Sequence, residues 1–96
     1  MLVLVAYDVN TETPEGRRRL RRVAQACEDF GHRVQKSVFE CLVGERELVV
    51  LRKRLLDEID AAKDNLRLYF LDELTRRRTE QYGVGTVPDM EGPLIA

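Results

Sequence analysis

Leu2-Val3-Leu4-Val5-Ala6-Tyr7-Asp8 decides the fold of this chain. The run is apolar to its last residue and β-branched at Val3 and Val5, which makes it a strand. Alternation puts Leu2, Leu4, Ala6 and Asp8 on one face, and Val3, Val5 and Tyr7 on the other. Both faces stay apolar until Asp8, so the strand is expected to be covered on both sides. Asp8 then places a carboxylate on rigid backbone at the edge of the core.

Working outward, residues 9–13 form a polar loop, and Thr13-Pro14 supplies an N-cap followed by proline at the first helical position. Leu20, Val23, Ala24, Cys27 and Phe30 recur at helical spacing, so a helix is expected to about Phe30, stopped by Gly31 as the residue after its C-cap. Residues 32–43 are strand-rich, but alternation fails at Lys36-Ser37, which calls for a bulge or a break into two short strands. A second helix is expected from about Glu45 to Lys63, with Leu48, Leu51, Leu55 and Ile59 facing inward. Residues 65–71 form another strand, with Leu66, Leu68 and Phe70 on one face. Asp72 to Arg78 is a loop or short helical turn, and Thr79 to Val84 a candidate last strand.

The order β-α-β-β-α-β, with an extra C-terminal strand as an option, predicts an α/β (α+β) ferredoxin-like sandwich over residues 1–84 and a C-terminal tail over 85–96. Two helices cover one face of such a sheet. The second face also carries apolar residues, so a homodimer is expected to cover it.

The 96 residues suffice for one domain, and no apolar run approaches a membrane span. With no basic leader before the first strand, the chain is expected to be soluble and cytoplasmic. Cys27 and Cys41 have neither disulfide-framework nor metal spacing, and burial accounts for both. No Ser-His-Asp set, glycine-rich phosphate loop or zinc pattern is present. The net charge of −1 argues against a polyanion partner. Its distribution argues the other way: residues 17–36 hold seven Lys or Arg against two acids. Arg17/Arg21 and Arg18/Arg22 are like-charge pairs one turn apart, at the helix end where the dipole disfavours cations. Such placements favour an anion ligand over a merely solvated face partly neutralised by Glu12, Glu15 or acids of the second helix. Arg33 and Lys36 extend the patch. Arg76, Arg77 and Arg78 form a second cluster that a plain solvated loop explains better than a ligand does.

Asp8 beside these arginines suggests a metal held against a phosphodiester. One carboxylate per chain holds Mg²⁺ poorly, but a two-fold axis near the strand end would pair Asp8 with its copy, and Asn10 could add an oxygen. The alternative is that Asp8 caps the following turn. Phe39 either packs in the core or stacks on a base. Tyr7 either fills a sheet face or orients a phosphate.

Leu4-Val5-Ala6-Tyr7-Asp8-Val9, Arg33-Val34-Gln35-Lys36-Ser37-Val38-Phe39-Glu40 and Leu66-Arg67-Leu68-Tyr69 resemble the CRISPR-associated Cas2 family, and Asp89-Met90-Glu91-Gly92-Pro93-Leu94-Ile95 resembles the tail of its subtype I-C members. The resemblance implies a ferredoxin-like homodimer of CRISPR adaptation that bridges the CRISPR integrase. It also implies an endonuclease on RNA or duplex DNA, dependent on Mg²⁺ with Mn²⁺ as the alternative. By the same resemblance, Asp8 takes the catalytic and metal-binding position, the nucleic-acid-contacting residues fall on Tyr7, Arg17 or Arg19, and Arg33, and the phenylalanine of the family's SVFE block falls on Phe39; the basic patch adds Arg18 to the expected nucleic-acid-binding set. The competing expectations are a non-catalytic nucleic-acid-binding adaptor of the integrase, with Leu94-Ile95 or a sheet edge docking it, and a small-ligand regulatory module of the same fold.

Overall fold

The computed structural model describes residues 1–84. The elements run β1 (Leu2–Asp8), α1 (Pro14–Glu28), β2 (Gly31–Gln35), β3 (Val38–Leu42), α2 (Glu45–Glu58), β4 (Asn65–Leu71) and a short α3 (Glu73–Arg77). The four strands make one antiparallel-paired sheet in the order β2-β3-β1-β4. This is the ferredoxin-like β-α-β-β-α-β arrangement, with β1 in its interior. Among the described residues no helix is long and apolar enough to cross a membrane.

Register explains which residues form the core. Val5 lies opposite Phe39 of β3 and Leu68 of β4, and Val3 lies opposite Cys41 and Phe70. This face meets both helices: Val3, Val5, Tyr7, Phe39 and Cys41 pack with Val23, Ala26 and Cys27 of α1 and Leu48, Leu51 and Leu55 of α2. Both cysteines are free and buried. Burial pushes the Cys27 thiol up to about 12 and the Cys41 thiol to about 11, so neither is a ready nucleophile. The opposite face carries Leu4 between Glu40 and Tyr69, and Ala6 between Val38 and Arg67. Leu4, Ala6, Val38 and Leu42 are only half-buried, and Tyr69 is exposed. Within one chain, therefore, β1 is fully covered on one face only.

Several local expectations are met, and others are corrected. Thr13 caps α1, its hydroxyl accepting from the Gly16 N–H at 3.1 Å, with Pro14 in the first turn. The break at Lys36-Ser37 separates β2 from β3, with a register shift between Arg33 and Gln35. Gly31 is not a left-handed cap residue: α1 ends at Glu28, and Gly31 opens β2. Glycine is needed there because a Cβ would lie 2.2 Å from the Glu40 carbonyl oxygen and 2.8 Å from the Cys41 Cα. Helix α2 stops at Glu58 rather than Lys63 because Asp60 bonds locally. Its carboxylate accepts from the Ala62 N–H at 3.0 Å, and its carbonyl from the Lys63 and Asp64 N–H groups, closing a turn in place of further helix. Thr79 to Val84 holds a single bridged residue, Glu80, and no strand. The tail over 85–96 lies outside the described residues.

Candidate functional site

The end of β1 carries Asp8. Asp8 is exposed and lies opposite Asn65 of β4, and its side chain makes no hydrogen bond or ion pair with another described residue. On the other side, the Tyr7 N–H bonds the Ser37 carbonyl at 3.1 Å, which brings the Lys36-Ser37 turn to the same end of the sheet. The first turns of α1 reach it through the 9–13 loop. Asp8 does not cap that loop. The Asn10 N–H goes to Asp64 at 3.0 Å, and the Glu12 N–H goes to the Asn10 side-chain oxygen at 2.9 Å.

The arginines of α1 divide by their partners. Arg17 is exposed and donates one bond to the Thr11 carbonyl at 3.1 Å. Arg18 and Arg21 are exposed with no partner among the described residues. Arg22 approaches Glu58 of α2 at 3.7 Å, so part of the patch is neutralised from helix two. Arg19 points inward. Its Nε and Nη2 donate to the Asp64 carboxylate at 2.8 and 3.1 Å, a bidentate pair whose carboxylate is fully buried. The expected Arg19 contact with nucleic acid meets a guanidinium that already bonds Asp64 through two of its nitrogens.

Asp64 also accepts from the Asn10 and Asp60 N–H groups, at 3.0 and 2.8 Å. The Arg19 guanidinium first, then these two amides, hold the Asp64 carboxyl down to about 2. Because the folded value lies below the ordinary 3.8, the stability from this site is complete above about pH 4 and is lost as pH falls toward 2. Urea unfolding across that window should show the wild-type midpoint falling steeply and that of Asp64→Asn falling less. Parallel curves would contradict the assignment.

Tyr7 and Phe39 lie in the core. Phe39 has no exposed surface and Tyr7 only 5%, so neither ring can stack on a base. They stack on each other, with ring centres 6.2 Å apart, and burial raises the Tyr7 hydroxyl pKa. Arg33 lies over the Phe39 ring at 5.0 Å and within 3.5 Å of Glu28. The aromatic pair thus forms a platform that holds the half-exposed Arg33 in place. His32 is no partner for Asp8. It faces Glu40 at 3.7 Å in the cross-strand row of Leu4, about 13 Å along β1 from Asp8 at ~3.3 Å per residue.

Sequence reasoning passed over Asp64. The signal was present: Arg19 falls on the inward stripe of α1, one turn before Val23, and a charge on a buried stripe needs a partner.

Among the described residues no three His, Cys, Asp or Glu side chains converge as a metal cluster. Within one chain the tip of β1 itself offers the single carboxylate of Asp8. That donor set fits Mg²⁺ only with a second carboxylate or substrate oxygens to complete it.

The family model "CRISPR associated protein Cas2" matches residues 1–79, which is most of the chain. The chain belongs to the Cas2 family. It is 56% identical to the CRISPR-associated endoribonuclease Cas2 of Chlorobaculum tepidum over 99% of each chain. It is 46% identical to the CRISPR-associated endonuclease Cas2 of Halalkalibacterium halodurans, again over 99% of each. The crystal structure of Streptococcus pyogenes Cas2 superposes with a TM-score of 0.77 at 54% identity, covering 86% of this chain and all of that one.

Proposed function

We propose that this Cas2 protein is a metal-dependent endonuclease of CRISPR adaptation that works as a homodimer in the cytoplasm. The observation that carries the reading is Asp8, an exposed carboxylate without a partner among the described residues, on backbone that is tied down on either side. The nuclease names of its relatives support it. A divalent cation such as Mg²⁺, held by Asp8 from two copies, would neutralise phosphate charge and acidify a bound water. Arg17, Arg18 and Arg33 bind the nucleic-acid backbone, Arg17 and Arg18 from the exposed start of α1 and Arg33 from its aromatic platform. Asp8 supplies the anionic oxygens. Lys36 adds charge at the same end of the sheet. The half-covered sheet face with Leu4, Ala6, Val38 and Leu42 is the surface the second copy covers.

The test is cleavage of labelled single-stranded RNA and duplex DNA across a Mg²⁺ titration, with a chelator control. Cleavage of either that depends on metal supports the reading, and identifies the substrate. Absence of cleavage with both substrates and with Mn²⁺ overturns it.

Arg18 and Arg21, without a partner among the described residues, favour a second role, that of a nucleic-acid-binding adaptor that bridges the CRISPR integrase. The Leu94-Ile95 segment offered for that docking lies outside the described residues. For this role, the double variant Arg17→Ala/Arg18→Ala should weaken nucleic-acid binding. It should also flatten the dependence of log K on log salt by about 0.7–0.9 for each phosphate no longer neutralised. An unchanged slope would remove these two residues from the interface.

A further inference from the structure

The Asp64 carboxylate is fully buried, and its acceptor capacity goes to four donors. They come from three segments far apart in sequence: Asn10 in the loop after β1, Arg19 in α1, and Asp60 in the turn before β4. Two of these connections bear on Asp8. Asn10 lies two residues beyond it along the chain, and Asp64 itself precedes Asn65, the residue opposite Asp8 in the sheet. One side chain therefore fixes the backbone following Asp8 and the backbone beside it.

The loop is also held from its other side. A Cβ on Gly16 would lie 1.9 Å from the Asn10 carbonyl oxygen, so the first turn of α1 presses directly on that peptide. The Arg17 guanidinium ties down the Thr11 carbonyl.

A buried ion pair is a poor way to gain stability, because removing two charged groups from water offsets most of their attraction. Apolar residues at positions 19 and 64 would fill the space as well. They would not bond the Asn10 amide, and the loop would lose its fixed path. What the ion pair adds over an apolar pair is geometry.

We propose that Asp64, oriented by Arg19, is a positioning residue that sets the Asp8 carboxylate for metal binding. The inference rests on the reading of Asp8 as the metal-holding carboxylate. Asp64 is not itself a ligand, since it is buried and its oxygens are occupied. Its effect passes through the Asn10 peptide, and misplacing a reacting group by about 1 Å costs on the order of a hundredfold in rate.

The experiment compares wild type, Asp8→Ala, Asp64→Asn and Arg19→Lys at a temperature where circular dichroism shows each folded. Three quantities are read: kcat with its half-maximal Mg²⁺ concentration, Mn²⁺ affinity by calorimetry, and hydrogen exchange of the Asn10 amide by NMR. Asp64→Asn is expected to lower kcat by about tenfold to a hundredfold. It should also raise the Mg²⁺ requirement, weaken Mn²⁺ binding and deprotect the Asn10 amide. Arg19→Lys keeps the charge but not the bidentate geometry, and should shift the same quantities less. If Asp64→Asn does not fold, Arg19→Lys decides on the same three readouts. Wild-type kcat, Mg²⁺ requirement and Mn²⁺ affinity in a folded variant, even one that melts earlier, would reduce the pair to a structural role and overturn the proposal. If Asp8→Ala still cleaves with metal, the Asp8 reading fails and the proposal falls with it. If Asp8→Ala is inactive while Asp64→Asn matches wild type, only the positioning role fails.

Discussion

Asp8→Ala abolishes metal-dependent cleavage, by at least about a hundredfold, and leaves the protein as stable as before. The separation of the two effects follows from where the side chain sits. Asp8 is exposed and its side chain bonds no other described residue, so truncation opens no cavity and strands no buried donor. An exposed substitution of this kind changes unfolding free energy by no more than about 0.5 kcal/mol. The loss of the carboxylate at the tip of β1, by contrast, removes the anionic oxygens a hard cation needs. Asp8→Asn sharpens the result because it keeps the shape and removes the charge. A charge-dependent role makes Asp8→Asn as inactive as Asp8→Ala. Had Asp8 served to cap the following turn, Asp8→Asn would keep activity and Asp8→Ala would melt earlier. The measurement is initial cleavage rate at saturating Mg²⁺ beside a urea melt of each variant, and full activity in Asp8→Ala would end the assignment.

Phe39→Ala is expected to have the largest effect on stability. The ring is fully buried at the centre of the sheet's helix-facing side, opposite Val5 and stacked on Tyr7. Truncating a buried phenylalanine costs about 3–5 kcal/mol, made up of lost transfer energy and an unfilled cavity. A domain of this size has a total of roughly 5–14 kcal/mol, so the variant approaches the edge of folding. Phe39→Leu retains most of the apolar volume and should cost much less. It still removes the aromatic face under Arg33, so its nucleic-acid binding should weaken while its fold survives. Urea unfolding followed by circular dichroism reads the first effect, and binding of labelled RNA the second. A loss below about 1 kcal/mol for Phe39→Ala would contradict its burial.

These two residues show what was legible in the sequence. Asp8 stood out because a carboxylate interrupts an apolar strand, and the interruption itself carries the information. Phe39 did not resolve, because alternation places it on one of two faces without saying which face meets the helices. Thr13-Pro14 fixed the start of α1 because capping is a local property of adjacent residues. The end of α2 was missed for the complementary reason: Asp60 diverts the chain with its own side chain, and apolar spacing through Ile59 does not register that competition. Gly31 was seen as important but for the wrong physics, since a turn conformation and a close strand approach both demand glycine. Asp64 lies outside the strongest local patterns and pairs with Arg19 across 45 positions. Only the inward placement of Arg19 hinted at it.

The order of the strands in the sheet also bears on how the chain is made. β1 lies between β3 and β4, and both partners are synthesised after it. Each ladder must close a long loop before any of its bonds form, which slows assembly. On the ribosome α1 can form from local bonds alone, whereas Val3 and Val5 wait for Phe39 and Cys41 on one side and for Leu68 and Phe70 on the other. During that interval the most apolar segment of the chain is open to neighbouring nascent chains and to chaperones. Folding during translation is thus confined to fragments, and the sheet closes only once Leu71 has been added.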